Sequence, residues 1–298
     1  MLRLAQNYKY FFLVSAVLSL ASITFLALWG LKLGIDFRGG TLLEVRFENQ
    51  VQAGRLEGAL REINAGEFLV QSTENGGFLV KIAALAPGAL QELKQSLADS
   101  LGDFSEERSE SVGPIIGKEL LKRAYLQVVL VAAAIILYIA YAFRRVAKSS
   151  KNNALSSWKL GTATVIALIH DLLITLGVFA LLGRFFGVEV DSLFVTALLT
   201  ILGFSVHDTI VVFDRIRENL QNHPHKEFSA LVNYSVNQTL SRSINTSSTL
   251  VFVLLAMMLF GGSSTFFFIG AILVGVISGT YSSIFIASPI LILWQSKK

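Results

Sequence analysis

Residues 193–219 read LFVTALLTILGFSVHDTIVVFDRIREN. The apolar run from Leu193 to Phe213 is long enough to cross a bilayer core, which takes about 20 residues. It nevertheless carries His207-Asp208-Thr209 within it. A carboxylate at such a depth costs roughly 2.5–3.5 kcal/mol on insertion scales. Chains that keep one usually turn it toward a protein interior, a partner charge or a proton path. The run then leaves the membrane through Phe213-Asp214-Arg215-Ile216-Arg217-Glu218-Asn219, an exit too particular for a generic helix end. Asp208 is therefore the first candidate functional residue of a membrane protein.

Composition agrees with that class. Of 298 residues, 53% are hydrophobic and 15% charged, and the mean hydropathy is +0.60, values of an integral membrane protein rather than a soluble domain. There is no cysteine, which excludes disulfides, thiolate metal sites and cysteine nucleophiles. A pI near 9.3 raises nucleic acid as a partner, but the basic residues cluster in short loops beside apolar runs, so topology explains them and no nucleic acid is expected.

Six runs are long enough to span: Phe11–Trp29, Leu120–Phe143, Leu160–Leu182, Leu193–Phe213, Ile244–Phe260 and Phe266–Trp294. The first exceeds the ~7–15 residues of a signal-peptide core and lacks a small-x-small cleavage site before Gly30, so it reads as an uncleaved span. The fifth begins in a polar stretch, Asn245-Thr246-Ser247-Ser248-Thr249. The sixth contains Pro289, which predicts a kink near its end. Arg144, Arg145, Lys148, Lys151 and Lys159 lie between spans two and three, and Arg215, Arg217, Lys226 and Arg242 between four and five. Lys297 and Lys298 close the chain, whereas the opposite loops hold only Arg184. The bias predicts cytoplasmic termini.

Segment 34–112 then lies outside the cytoplasm, between a first transmembrane helix (1–33) and a five-helix transmembrane region (113–298). Thr41–Phe47 has strand character, Val51–Ile63 helical spacing, and Glu67–Ser72 and Phe78–Ala83 flank the turn signal Asn75-Gly76-Gly77. A helix opened by Pro87 carries Leu90, Leu93, Leu97 and Leu101 as a stripe, and a strand near Phe104–Ser111 follows. The order β-α-β-β-α-β predicts a small ferredoxin-like α+β extracytoplasmic domain. The expected fold is thus an α-helical membrane protein of six transmembrane helices with that domain between helices 1 and 2.

Each polar constellation has a plain reading beside the functional one. Asp208 is either an interfacial acid or a buried titratable group. Arg242, beside the polar cluster Ser241–Ser247, is either a positive-inside anchor or the cation that pairs with Asp208. His170-Asp171, mid-way along span three, is a structural pair or a proton relay; no HExxH-like spacing supports zinc. The Gly39-Gly40 pair reads as turn chemistry, since no helix N-terminus and lysine follow to make a phosphate cradle. Gly275 and Gly279 offer a small-residue packing surface on span six.

Taken together, Gly34–Thr41, Gly113–Leu120, His170-Asp171, Phe204–Asn219 and Arg242–Ser247 resemble the SecF family of bacterial protein-export subunits along essentially the whole chain. The resemblance implies a resistance–nodulation–division-like half-transporter of the bacterial inner membrane. It would pair with SecD, associate with the Sec translocon channel, and use the proton-motive force to complete export of unfolded preproteins. Protons and membrane lipids are further implied partners, and no cofactor is implied. Asp208 and Arg242 match family positions tied to proton coupling, with His207 and Asp171 as further candidates; many relatives carry asparagine where this chain has His207. The competing expectation is a half-sized proton-driven exporter of lipids or small hydrophobic compounds, which normally needs much larger outer domains. A membrane-embedded enzyme lacks paired aspartates, a serine nucleophile constellation or a metal motif.

Overall fold

The computed structural model describes residues 4–73, 76–83, 85, 88–142, 157–223 and 225–296. Asn75, Pro87, Phe143, the basic cluster Arg144, Arg145, Lys148 and Lys151, and the terminal Lys297 and Lys298 lie outside them. The chain divides into two compact units, Leu33–Tyr125 and a helical unit of Met1–Lys32 with Leu126–Lys298.

The smaller unit opens with a single turn, α2 (Ile35–Arg38), where the sequence suggested only a loop. Strand β1 (Gly40–Phe47), helix α3 (Ala53–Glu62), strands β2 (Phe68–Ser72) and β3 (Phe78–Ile82), helix α4 (Ala89–Leu101) and strand β4 (Phe104–Val112) follow. The strands form one antiparallel sheet in the order β2-β3-β1-β4, the arrangement expected of a split βαβ repeat. Alternation along β1 turns Leu43, Val45 and Phe47 inward. The helical stripes meet them with Leu56 and Leu60 from α3 and Leu93 and Leu97 from α4. Leu90, Leu101 and Ile63 pack at the margin of this core.

Two glycines close the unit at its base. A side chain on Gly39 (φ 80°) would sit 2.8 Å from Cα of Pro114, and one on Gly117 would sit 2.9 Å from the Gly39 nitrogen. Only glycines allow the α2 turn to lie directly on the first turn of α5 (Pro114–Ala142).

Among the described residues, six helices are long and apolar enough to cross a membrane. Besides α1 (Leu4–Trp29) and α5 they are α6 (Ser157–Phe186), α7 (Ser192–Asn222), α8 (Phe228–Phe260) and the chain of α9 (Ser263–Ser282), a π-helical turn (Ser283–Ala287) and α10 (Ser288–Ser296). Helix α8 starts well before Ile244, because Leu231, Val232 and Val236 bury an apolar face there that a hydropathy run broken by polar residues hides. Burial separates the helices into two sets. The apolar windows of α6, α7 and α9–α10 are 44%, 50% and 61% buried within the chain, against 11%, 6% and 17% for α1, α5 and α8. The buried carboxylates Asp171 and Asp208 lie where the inner three meet.

Close packing of that inner set rests on small residues. A side chain on Gly275 would meet Ile201, and one on Gly279 would lie 3.0 Å from Cβ of Ser205, so α9 lies against α7 with little between the backbones. Gly177 does the same for α6 against Ser22 of α1. Pro289 has no N–H to give to the helix. Just before it the helix widens into the π turn, and the Ser288 hydroxyl donates to the Ser283 carbonyl at 3.1 Å.

Candidate functional site

Asp208 and Asp171 are both buried, at 5% and 0% exposure. Each stands near the middle of its helix, because α7 runs on to Asn222 rather than ending at Phe213. Asp208 accepts from the Ser243 hydroxyl of α8 at 2.8 Å on Oδ1 and from Ser283 at 2.9 Å on Oδ2. Asp171 gathers more donors. Ser205 of α7 and Ser282 of α9 donate to Oδ2 at 2.6 and 2.7 Å, and Ser278 donates to Oδ1 at 2.8 Å. His170 Nδ1 lies 3.1 Å from the same Oδ1. Adjacent side chains of a helix point apart, yet the imidazole is long enough to reach back to its neighbour's carboxylate.

Helix geometry explains why these serines converge. Ser278 and Ser282 stand four residues apart on one face of α9 and bracket Asp171. Ser283, one residue further, is turned toward α7 and Asp208. Ser205 and Asp208 lie one turn apart on α7, so that helix touches both carboxylates. The Gly275 and Gly279 contacts bring the hydroxyls within reach. In an apolar medium these donors offset the desolvation of the acids, which would otherwise be prohibitive.

Arg242 does not meet Asp208 in this structure. Ser243 points inward to Asp208, and Arg242, turned about 100° around α8 by helical geometry, is exposed. Among the described residues no cation pairs with Asp208. The expected Asp208–Arg242 contact is therefore absent within this chain. His207 is exposed too, on a stripe of α7 with Thr196, Thr200 and Gly203. On α8 the exposed stripe is Arg242, Asn245, Thr246 and Thr249. These polar residues face outward at mid-helix, where lipid is a poor neighbour.

Sequence reasoning missed the serines of α9, since lone serines in an apolar run carry no spacing signal. It also missed the role of Asn219. That residue is 4% exposed and donates to Ser235 Oγ and Gln238 Oε1 of α8, both at 2.9 Å. The charges of the same exit motif pair along the helix surface, Arg217 with Asp214 at 2.7 Å and Arg215 with Glu218 at 2.9 Å. His170 stacks beside Tyr281 with ring centroids 6.2 Å apart, and its Nε2 is buried without a partner among the described residues. The Tyr281 hydroxyl donates to the Phe11 carbonyl at 2.9 Å.

Comparison with known proteins fits this geometry. Residues 92–297 match the family model for the protein export membrane protein SecD/SecF, C-terminal, and residues 30–51 match the SecD/SecF GG motif. The second match contains the Gly39-Gly40 turn. The protein translocase subunit SecF of Thermobaculum terrenum is 42% identical over 299 residues, covering 96% of this chain and 92% of the relative. That of Anaerolinea thermophila is 40% identical over 300 residues, covering 99% and 95%. The crystal structure of SecDF from Thermus thermophilus superposes with a TM-score of 0.83 at 35% identity over 98% of this chain, which spans 38% of that longer protein. With its GG turn, six long apolar helices among the described residues and a split βαβ sheet, the chain belongs to the SecD/SecF family of protein export membrane proteins, among the SecF subunits.

Proposed function

We propose that this chain is an auxiliary subunit of a Sec protein-export machinery, and that with a SecD partner it uses the proton-motive force to drive late steps of preprotein translocation. The observation that carries the reading is Asp208: a buried carboxylate held midway along an apolar helix by two neutral hydroxyls and by no cation among the described residues. Such a group can take up and release a proton without breaking an ion pair. Its hydroxyl partners accommodate both forms, donating to the carboxylate or accepting from the acid.

The outward polar stripes with His207 and Arg242 supply the second half of the reading. In a SecD–SecF pair this face is covered by the partner, and Arg242 meets the partner's groups rather than Asp208. Coupling between Arg242 and Asp208 then runs through α8, where Ser243 links the next position to the carboxylate. The 34–112 segment is the extracytoplasmic part, close to emerging unfolded preproteins, while both termini face the cytoplasm of the bacterial inner membrane. The channel and surrounding lipids are the remaining partners.

Export in inverted membrane vesicles tests this directly. Asp208→Asn, inserted at normal level and still co-purifying with SecD, is expected to lose the part of export that depends on the proton gradient while keeping the ATP-driven part. Gradient-stimulated export at the unsubstituted rate would remove Asp208 from the coupling.

A further inference from the structure

Asp171 is a second buried carboxylate, and two adjacent residues reach the two acids. Ser282 donates to Asp171 Oδ2 at 2.7 Å and Ser283, the next residue, donates to Asp208 Oδ2 at 2.9 Å. Each of these hydroxyls has an alternative acceptor, and it is the same one. The Gly279 carbonyl lies 3.2 Å from Ser282 Oγ and 2.9 Å from Ser283 Oγ. That carbonyl already receives the backbone N–H of Ser283, which leaves one lone pair for a hydroxyl.

We propose that Asp171 and Asp208 form one coupled proton-binding pair, in which Ser282 and Ser283 compete for the Gly279 carbonyl and so make protonation of one carboxylate favour the ionised form of the other. This rests on the reading of Asp208 as a proton acceptor. When Asp208 takes a proton from the medium on Oδ2, its new O–H donates to Ser283 Oγ. The Ser283 hydrogen turns to Gly279, Ser282 is excluded from that carbonyl, and its hydrogen stays on Asp171. When Asp171 takes the proton on Oδ2, Ser282 turns to Gly279 and Ser283 remains on Asp208. No proton crosses between the two acids; what passes is the orientation of two hydroxyls. Thr280 O, 3.2 Å from Ser283 Oγ, is open to Ser283 alone and softens the exclusion without removing it.

The surroundings leave few other groups to set this balance. His170 and Asp171 are the titratable residues of α6 between Lys159 and Arg184, His207 and Asp208 those of α7 between Asp191 and Asp214, and Tyr281 that of 263–296. Helix α1 has none between Tyr10 and Trp29, α5 carries Tyr138 and Tyr141 beyond its charged first turns (Lys118, Glu119, Lys122, Arg123) and Tyr125, and Tyr234 and Arg242 on α8 are exposed. His207 is exposed as well, and Tyr281 is engaged with Phe11. His170 touches Asp171 and belongs to its half of the pair, with Nε2 open to a further hydrogen bond. Ser282 and Ser283 act through the carboxylates and are positioning residues. The π turn that begins at Ser283 lies at the junction itself, a place where such turns often mark function.

The test is a pH titration of the purified complex with its SecD partner, followed by infrared difference spectroscopy. The carboxylic-acid band lost in Asp208→Asn identifies Asp208. Asp171→Asn is expected to displace the titration of that band by on the order of one pH unit, the strength at which two sites titrate as a pair. The doubly substituted Ser282→Ala/Ser283→Ala protein should lose most of that displacement, and Ser282→Thr/Ser283→Thr, which keeps both hydroxyls, should retain it. An unchanged Asp208 titration in Asp171→Asn, with helix content intact, overturns the proposal. So does a displacement equally large without the two hydroxyls, which would leave bare charge repulsion as the cause. Gradient-driven export measured on the same variants keeps the two readings apart. A displaced band in a protein whose export ignores Asp208 removes the export role and leaves the pair; an undisplaced band in a protein whose export requires Asp208 does the reverse.

Discussion

Ser243, and not its neighbour Arg242, meets Asp208: the hydroxyl donates to Oδ1 at 2.8 Å, and Arg242 is left on the exposed face of α8. One residue of helical phase separates an intramolecular ion pair from a buried acid held by hydroxyl donors. It also separates a residue acting inside the chain from one available to a partner.

Two substitutions should therefore have different signatures. Ser243→Ala is expected to destabilise the helical unit by about 0.6–1.7 kcal/mol, the range for interhelical hydrogen bonds in membranes. Arg242→Ala should leave the stability of the isolated chain nearly unchanged, because its side chain is exposed and joins no ion pair among the described residues. Unfolding in mixed micelles, with and without SecD, measures both. A loss of isolated-chain stability in Arg242→Ala as large as that in Ser243→Ala contradicts the placement of these side chains.

A double-substitution cycle asks how the two sites communicate. Asp208→Asn and Arg242→Lys should be additive in the stability of the chain alone, since the residues do not touch. In export rate by the assembled complex they should be strongly non-additive if both serve one proton-driven step, and lysine should replace arginine poorly where a planar fork is needed. Additivity in export as well would assign the residues separate tasks.

Gly39→Ala attacks the base of the smaller unit. The residue has φ 80° and its Cβ would lie 2.8 Å from a backbone atom of Pro114. The backbone conformation alone costs on the order of 1–3 kcal/mol for a non-glycine residue, and the collision adds to that. Limited proteolysis should cut the α2–β1 junction faster in this variant. Gly30→Ala is the control, with positive φ but nothing within 4 Å, and it should be milder.

Gly279→Ala probes the α7–α9 contact that brings the serines to the carboxylates. Its Cβ would lie 3.0 Å from Cβ and 3.3 Å from Cα of Ser205, so the helices must separate slightly. Overpacking of this kind costs about 1–3 kcal/mol. Thermal unfolding of the purified protein should show the loss, and gradient-driven export should fall further than stability does, because Ser205 and Ser282 both move off Asp171. Equal export at a lowered melting temperature would show that the hydroxyl geometry is not limiting.

Topology is open to direct labelling, because the chain has no cysteine of its own. Gln91 is exposed on α4, and Gln91→Cys should react with an impermeant maleimide added outside spheroplasts. Reaction only after the cytoplasmic face is opened would invert the orientation.

Hydropathy, spacing and turn chemistry were enough to show six spans, the β-α-β-β-α-β order and Asp208 as an anomalous acid. These are properties of short windows: an apolar run of sufficient length, a period of two or 3.6, a glycine pair at a turn. The core stripe of α4 was legible for the same reason, with Leu93 and Leu97 both buried. What the sequence could not contain was helical phase between distant segments. Whether Arg242 or Ser243 faces Asp208 depends on how α8 is rotated against α7, and that rotation is set by packing along its whole length, including the early turns around Leu231 and Val236. Likewise Ser278, Ser282 and Ser283 are unremarkable in a run of small and apolar residues. They become partners of two carboxylates only because Gly275 and Gly279 let α9 approach α7 and because the helix turns to π geometry ahead of Pro289. Local chemistry chose the elements; close packing of three helices decided which hydroxyl meets which acid.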